Sequence, residues 1–471
     1  MTKNLNWINK LKEFARLLKL AISGKEQDYT KINIRRAIVL LSVPMILEMI
    51  MESLFAVVDI FFVGKLGEDA VATVGLTEAV VIIIYSIGVG ISMAATAMIS
   101  RRFGEKDYRT AGSTAFQLLI FGSIISIILG IIGWIYAKDI LRLMGASPTV
   151  LKSGTNYTRI IFAGNTAIML LFLINGAFRG AGLPHLAMRT LWLANGLNII
   201  LDPLLIFGIG NFTGLGLEGA AIATTTGRSI GVIYQLYHLF NSRHSLVILR
   251  ENMIFQIKTI KKIISISAGG MGQFLIDSVA WIFLTRIVAE FGSSAVAGFT
   301  ISFRILMFSL MPAWGLSAAA ATLVGQNMGA FKIKRAKISV WLTAKYNAWF
   351  LGLVTLLYLL FGNVFASWFT PNEQVQEIAA LGLKIIALGY IFFGIGMVMI
   401  QAFNGAGDTK TPTYINIGVF WFLEIPMAYF LAEYFDLGML GIFISIAFCH
   451  SLHALVSLWF FRKGKWIETK V

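Results

Sequence analysis

Within long apolar stretches the chain places carboxylates and amides that have no reason to be there unless they act. Residues 38–63 carry Glu48, Glu52 and Asp59. Spacings of four and seven put the three on one stripe of a helix, facing one interior. Residues 186–208 carry Asn195, Asn198, Asp202 and Pro203, with Asn198 and Asp202 one turn apart on a shared face. Pro203 has no N–H for the carbonyl of Ile199, so one more oxygen is freed beside them. An all-oxygen set built on Asp59 and Asp202 suits Na⁺ or a proton shared between buried carboxylates. The alternative is that Asn198 and Asp202 only satisfy neighbouring helices.

Other polar residues carry weaker signals. Gln273 and Asp277 are four apart on one helix, and Arg304 on the next could neutralise Asp277, as a structural pair or as a substrate contact. Glu78 reads as support for the first acidic helix. Glu424 precedes Pro426, where a kink and a carboxylate coincide. His450 and His453 share a face but have no further ligands, which favours hydrogen-bonded packing over a metal site. Trp341, Tyr346, Trp349, Tyr358, Tyr390, Phe392, Phe393 and Trp421 are interfacial anchors one by one. Together they are compatible with a cleft for a lipophilic cation.

The elements that must position these groups are membrane spans. The chain has 471 residues, 57% hydrophobic and 13% charged, against about 25% charge in a soluble domain. Runs long enough to cross a bilayer fall at 38–63, 71–99, 112–136, 154–177, 186–208, 218–240, 263–289, 295–325, 338–362, 378–402, 413–433 and 439–461. The 39 Lys/Arg against 24 Asp/Glu leave a net +15, which a soluble protein might spend on nucleic acid. Here 29 of them fall in the termini and alternate loops and five in the other loops, so the positive-inside rule puts both termini in the cytoplasm. Before the first span, Trp7, Ile8, Leu11, Phe14, Leu18 and Ile22 form a stripe among Lys3, Lys10, Lys12, Arg16 and Lys19. That pattern predicts an amphipathic helix at an anionic leaflet.

The chain is also duplicated. At a constant offset of 225, Gly67-Glu-Asp-Ala-Val-Ala72 matches Gly292-Ser-Ser-Ala-Val-Ala297, Gly90 matches Gly315, and Gly104 matches Gly329. Phe178-Arg-Gly-Ala-Gly182 likewise matches Phe403-Asn-Gly-Ala-Gly407, and Glu52 falls opposite Asp277, whereas Asp59 faces Leu284. Six spans per repeat is an even number, so the halves are parallel repeats about an axis along the membrane normal. The expected organisation is a basic helix at 1–36, an N-lobe at 37–240, a cytoplasmic linker at 241–262, and a C-lobe with a basic tail at 263–471. No Gly-x-x-x-x-Gly-Lys-Ser/Thr loop and no catalytic, zinc or redox constellation is present, so no enzymatic activity is expected and an ion gradient is the remaining energy source. The lone Cys449 excludes an intramolecular disulfide.

Val57-Val-Asp59-Ile-Phe-Phe-Val-Gly64, Phe178-Arg-Gly-Ala-Gly182 and Asn198-Ile-Ile-Leu-Asp202-Pro203, in a duplicated twelve-span layout, resemble the multidrug and toxic compound extrusion (MATE) transporters over residues 36–461. The resemblance implies an all-α, V-shaped pair of six-helix bundles that exports amphipathic organic cations against H⁺ or Na⁺. It carries a cation or proton site over to Asp59, Asn175, Asn198, Asp202 and Thr224, with any Na⁺ held by the first four. It leaves Glu48, Glu52, Glu78, Gln273, Asp277 and Arg304 as cleft candidates. No carboxylate lies between Gly389 and Gln401, where the NorM-type branch pairs one with span 7, so the site looks more like that of the DinF-type and archaeal members. A monomer in a prokaryotic inner membrane, without cofactor, is implied. A lipid-linked precursor or polysaccharide flippase of the wider superfamily is the runner-up, and would want a more basic interior.

Overall fold

The computed structural model describes residues 2–469 and 471, without the side chains of residues 2–11, 14 and 212. Helix α1 (Thr2–Ser23) precedes the spans. The stripe proposed for it falls largely on Trp7, Ile8, Leu11 and Phe14, with Lys3 and Lys10, whose side chains lie outside the described residues.

The first lobe contains α2 (Ile34–Gly64), α3 (Glu68–Glu105), α4 (Tyr108–Leu143), α5 (Pro148–Ala163), α6 (Asn165–Ala181), α7 (Pro184–Phe207) and α8 (Leu217–Phe240). The second contains α9 (Ile257–Ala289), α10 (Ser293–Gly329), α11 (Ile333–Ser367), α12 (Glu373–Leu388), α13 (Tyr390–Ala406), a rod over Lys410–Tyr434 and a last helix, Gly438–Lys463. Nine of these segments are long and apolar enough to span, counting α5 and α6 as one, and α12 with α13, bent by 58°, make a tenth. Helix α2 with its three carboxylates and α8 with Arg228 complete twelve crossings in two bundles. A two-residue hairpin, Gly208–Ile209 with Phe212–Thr213, is the one departure from an all-helical chain among the described residues.

Differences from the apolar runs have local causes. Helix α9 starts at Ile257 rather than near 263, because Lys258, Lys261 and Lys262 add a basic turn ahead of the apolar stretch. The rod over Lys410–Tyr434 is not kinked at Pro426; it widens into π-helix over Ile417–Glu424 and Phe430–Tyr434. A proline cannot donate to the residue one turn back, and a wider turn absorbs the missing bond next to buried Glu424.

The duplication appears in the backbone. Gly67 and Gly292 precede α3 and α10 with φ of +102° and +91°, a conformation that favours glycine over any side chain. Gly104 and Gly329 mark where those two helices cross. A Cβ on Gly104 would lie 2.0 Å from the Gln326 carbonyl oxygen, and one on Gly329 2.1 Å from that of Arg101. Gly90 packs on Ser267 and Met271, and Gly315 on Met45 and Ile46. Thr322 Oγ1 donates to the Arg179 carbonyl (2.9 Å) and Gln326 Nε2 to that of Gly180 (3.1 Å). This seam lies toward the basic loops. Among the described residues no hydrogen bond joins the lobes at the opposite end.

A strap from the end of α1 to α2 crosses the seam. Arg189 holds the Ile22 carbonyl (2.9 Å), Tyr29 packs on Gly182, Lys332 Nζ donates to the Thr30 carbonyl (2.9 Å), and Arg335 to those of Tyr29 and Ile32. Burial works to raise the Asp28 carboxyl, but two hydrogen bonds from Thr30 and the nearby Lys31 and Lys106 outweigh it and leave it below the usual 3.8.

Candidate functional site

Above the seam lies a cavity of about 460 Å³ whose walls come from both lobes. Three polar clusters reach it or sit behind its N-lobe wall.

The outermost is built on α2, α7 and α8. Asn198 Nδ2 donates to Asp202 Oδ1 (3.2 Å) and to Thr224 Oγ1 (3.1 Å). Asp202 is fully buried and Asn198 nearly so, yet Asp202 Oδ2 and Asn198 Oδ1 have no donor. Helix α7 runs through Pro203 without a break. Asp59, partly buried on α2, is close enough to act electrostatically on Asp202. Three oxygen-bearing side chains thus converge with Asp59 in electrostatic reach, and two of the three have buried lone pairs unpaired. Such a set fits a hard cation or a proton, and leaving the lone pairs bare costs about 1–3 kcal/mol each.

Beside it, Arg228 is 5% exposed on α8. It lies 3.7 Å from Glu52 and beneath the rings of Phe55 and Tyr85. Asn195 Nδ2 also donates to Glu52 (2.9 Å), and Arg228 acts on Asp59 and Glu78 as well. Glu78 itself is exposed on α3 and is not part of the cavity wall. A lone Arg inside a span is a strong sequence signal; the partners of Arg228 were not readable from it.

The second cluster is at the cavity floor. Glu48, 1% exposed, accepts from Arg179 Nη1 (3.3 Å) and Asn175 Nδ2 (3.4 Å), and Arg179 Nη2 donates to Ser92 (3.0 Å). Asn175 accepts in turn from Gln235 Nε2 (2.7 Å). The structure therefore separates Asn175 from the Asp59 group to which the resemblance assigned it. It serves Glu48, about three turns along α2 from Asp59.

The third cluster is the C-lobe wall. Asp277 accepts from Asn416 (2.9 Å), and Asn416 Oδ1 meets His453 Nε2 (3.0 Å). Glu424 lies 3.9 Å from His450. The expected partner Arg304 is instead exposed, outside the cavity wall and without an ion pair among the described residues. Gln273 and Asn404 bond to each other through both amides (3.0 and 3.2 Å). Both histidines line the cavity, where Phe420 stacks on His453 and lies tilted against His450, and Phe393 meets His450 edge to face. Of the aromatics grouped from the sequence, only Phe393 lines it; Tyr85, Phe172, Phe274, Trp314 and Phe420 supply the rest. Trp349 faces outward at 72% exposure. No group of three or more His, Cys, Asp or Glu among the described residues could hold a metal ion.

The comparisons with known proteins agree with this architecture. A family profile for MatE matches residues 44–204 and 271–430, one match per repeat. The chain is 28% identical to "Probable multidrug resistance protein NorM" of Thermotoga maritima, over 93% of this chain and 94% of that one. It is 26% identical to "Probable multidrug resistance protein YoeA" of Bacillus subtilis, over 89% and 91%. Among solved structures it superposes with a TM-score of 0.87 and 26% identity on an outward-facing multidrug resistance MATE family transporter of the MOP superfamily, covering 93% of this chain and 98% of that one. With matched segments in both repeats, twelve crossings and a polar cavity between two lobes, the chain belongs to the MatE family of multi-pass membrane transporters.

Proposed function

We propose that the protein exports amphipathic organic cations by antiport against H⁺ or Na⁺ across a prokaryotic plasma membrane, with both termini in the cytoplasm. The observation that carries this is the pair of unpartnered buried oxygens on Asp202 and Asn198, beside Asp59 and Thr224. A cation or proton entering there cancels one of the two negative charges that Asp59 and Asp202 place side by side. That removes a repulsion on α2, the helix that also carries Glu48 and Glu52 to the cavity. Glu48, Glu52 and Asp277 give the cavity an acidic, aromatic-lined interior, suited to a lipophilic cation and not to a pyrophosphate. Probable multidrug resistance is what the names of the NorM and YoeA relatives state of those proteins. The coupling site is read as the N-lobe kind, since Asp277 has an amide and not a second carboxylate as its hydrogen-bond partner.

Asp59→Asn and Asp202→Asn test the reading in proteoliposomes. Each should abolish gradient-driven efflux of an organic cation while leaving expression and folding intact. Transport that survives both changes rejects the assignment of the coupling site.

A further inference from the structure

The two repeats place different chemistry at one position of the cavity floor. At the offset of 225, Glu48 corresponds to Gln273 and Arg179 to Asn404. In the C-lobe these are two neutral amides that satisfy each other, with Gln273 Nε2 also reaching the Thr409 carbonyl (3.1 Å). The fold therefore closes this position without charge. In the N-lobe the same position holds a carboxylate and a guanidinium.

The N-lobe pair is incompletely made. A structural Arg–carboxylate pair tends to two parallel short hydrogen bonds. Here a single contact of 3.3 Å joins Arg179 Nη1 to Glu48 Oε1, and the second guanidinium nitrogen turns to Ser92. Glu48 Oε2 is buried without a donor, and both residues line the cavity. The other charge near Glu48 is Glu52, one turn along α2, which has its own cation in Arg228. Asp277 across the cavity is held by Asn416.

We infer that Arg179 is a built-in counter-cation that occupies Glu48 in the absence of cargo, and that the cationic group of the exported molecule displaces it there. This rests on the organic-cation reading above and names the group that meets the charge. Glu48 binds the guest's ammonium or guanidinium-like centre, and Ser92 keeps Arg179 as it swings away. Release is the reverse exchange, with Arg179 returning to Glu48. The exchange occurs at the seam, since the Arg179 and Gly180 carbonyls are the two that Thr322 and Gln326 of the other lobe hold. A salt bridge that only braced the fold would lose stability and affinity together when either partner was removed. A competitor differs in sign: removing it strengthens binding.

The test is equilibrium binding of ethidium to the purified full chain in detergent, read by fluorescence anisotropy, with thermal unfolding in parallel. Glu48→Gln should weaken binding by about tenfold or more, the loss of one charge-assisted contact. Arg179→Gln should tighten it several-fold, and Arg179→Lys should stay near the parent. Weaker binding by Arg179→Gln overturns the inference, and this variant decides the matter alone if Glu48→Gln does not fold. Unchanged binding by folded Glu48→Gln, with loss in Asp277→Asn, moves the guest's charge to the other lobe and overturns the inference while leaving organic-cation export standing. Absence of any ethidium binding to the parent chain, with tetraphenylphosphonium failing as well, rejects the organic-cation reading and this inference with it.

Discussion

Replacing Gly104 by alanine puts a methyl group into the contact that closes the molecule at its basic end. The new Cβ would lie 2.0 Å from the Gln326 carbonyl oxygen, 2.8 Å from its carbon and 2.9 Å from the Gly329 Cα. These are backbone atoms on another helix and cannot rotate aside. An ordinary C···O contact is about 3.3 Å, so α3 and α10 must part by roughly 1.3 Å at the crossing. Overpacking of this kind costs about 1–3 kcal/mol. The cost falls only on the state in which the seam is closed, because the same methyl meets open space once the lobes part. It therefore shifts the balance of the two states by roughly 5- to 150-fold. Spin labels at Lys106→Cys and Lys334→Cys, exposed residues on opposite lobes, report the separation. Cys449, the only native cysteine, is buried and adds little background. Gly104→Ala should populate a longer distance that the parent lacks, and Gly329→Ala, which meets the Arg101 carbonyl at 2.1 Å, should do the same. A distance distribution unchanged by both substitutions refutes the idea that this crossing is the closed gate.

Thr322→Val and Gln326→Leu each remove one cross-lobe hydrogen bond, worth about 1 kcal/mol, and should move the same labels in the same direction by less. Arg228→Gln leaves Glu52 and Asp59 facing each other without their shared cation, and breaking a buried pair from one side costs about 3–5 kcal/mol. The melting temperature should fall clearly, and restoring part of it with Glu52→Gln in the same chain separates lost pairing from lost packing. Asp28 holds its proton less tightly in the folded strap than in the unfolded chain, so its contribution is present above the usual 3.8 and is lost as pH falls below it. Hydrogen exchange over residues 28–32, corrected for intrinsic rates, should stay flat between pH 5 and 8 and rise only in stronger acid, with Asp28→Asn abolishing that rise.

The sequence made some of this visible because the relevant physics is local or periodic. Apolar runs locate the spans, and the glycine pairs at a fixed offset reveal the duplication; the structure adds that Gly67 and Gly292 precede helices and that Gly104 and Gly329 meet at a crossing. Spacing on α2 and α7 shows that Glu48, Glu52 and Asp59 share a face, as do Asn198 and Asp202. It does not show which of several facing helices supplies the partner. Asn175, which the resemblance places with Asp59, is found on Glu48, and Asp277, for which spacing offers Arg304, takes Asn416 from 139 positions along the chain. Aromatic residues are apolar on either side of a membrane helix, so their periodicity cannot separate a cavity wall from a lipid face; Phe393 and Trp349 illustrate the two outcomes. The π-helical turns at Ile417–Glu424 arise from how the rod accommodates Pro426 and buries Glu424, a compromise that no pattern of residue types announces.

One ion gradient should drive export through the Asp59–Asp202 group. The most direct measurement follows efflux of ethidium from proteoliposomes under a pH gradient alone, a Na⁺ gradient alone, and neither. Export that is driven by at least one gradient, stops when that gradient is dissipated, and is absent in Asp202→Asn is the predicted result. Export that proceeds at equal rate without any gradient, or that Asp202→Asn carries out as well as the parent chain, contradicts the account.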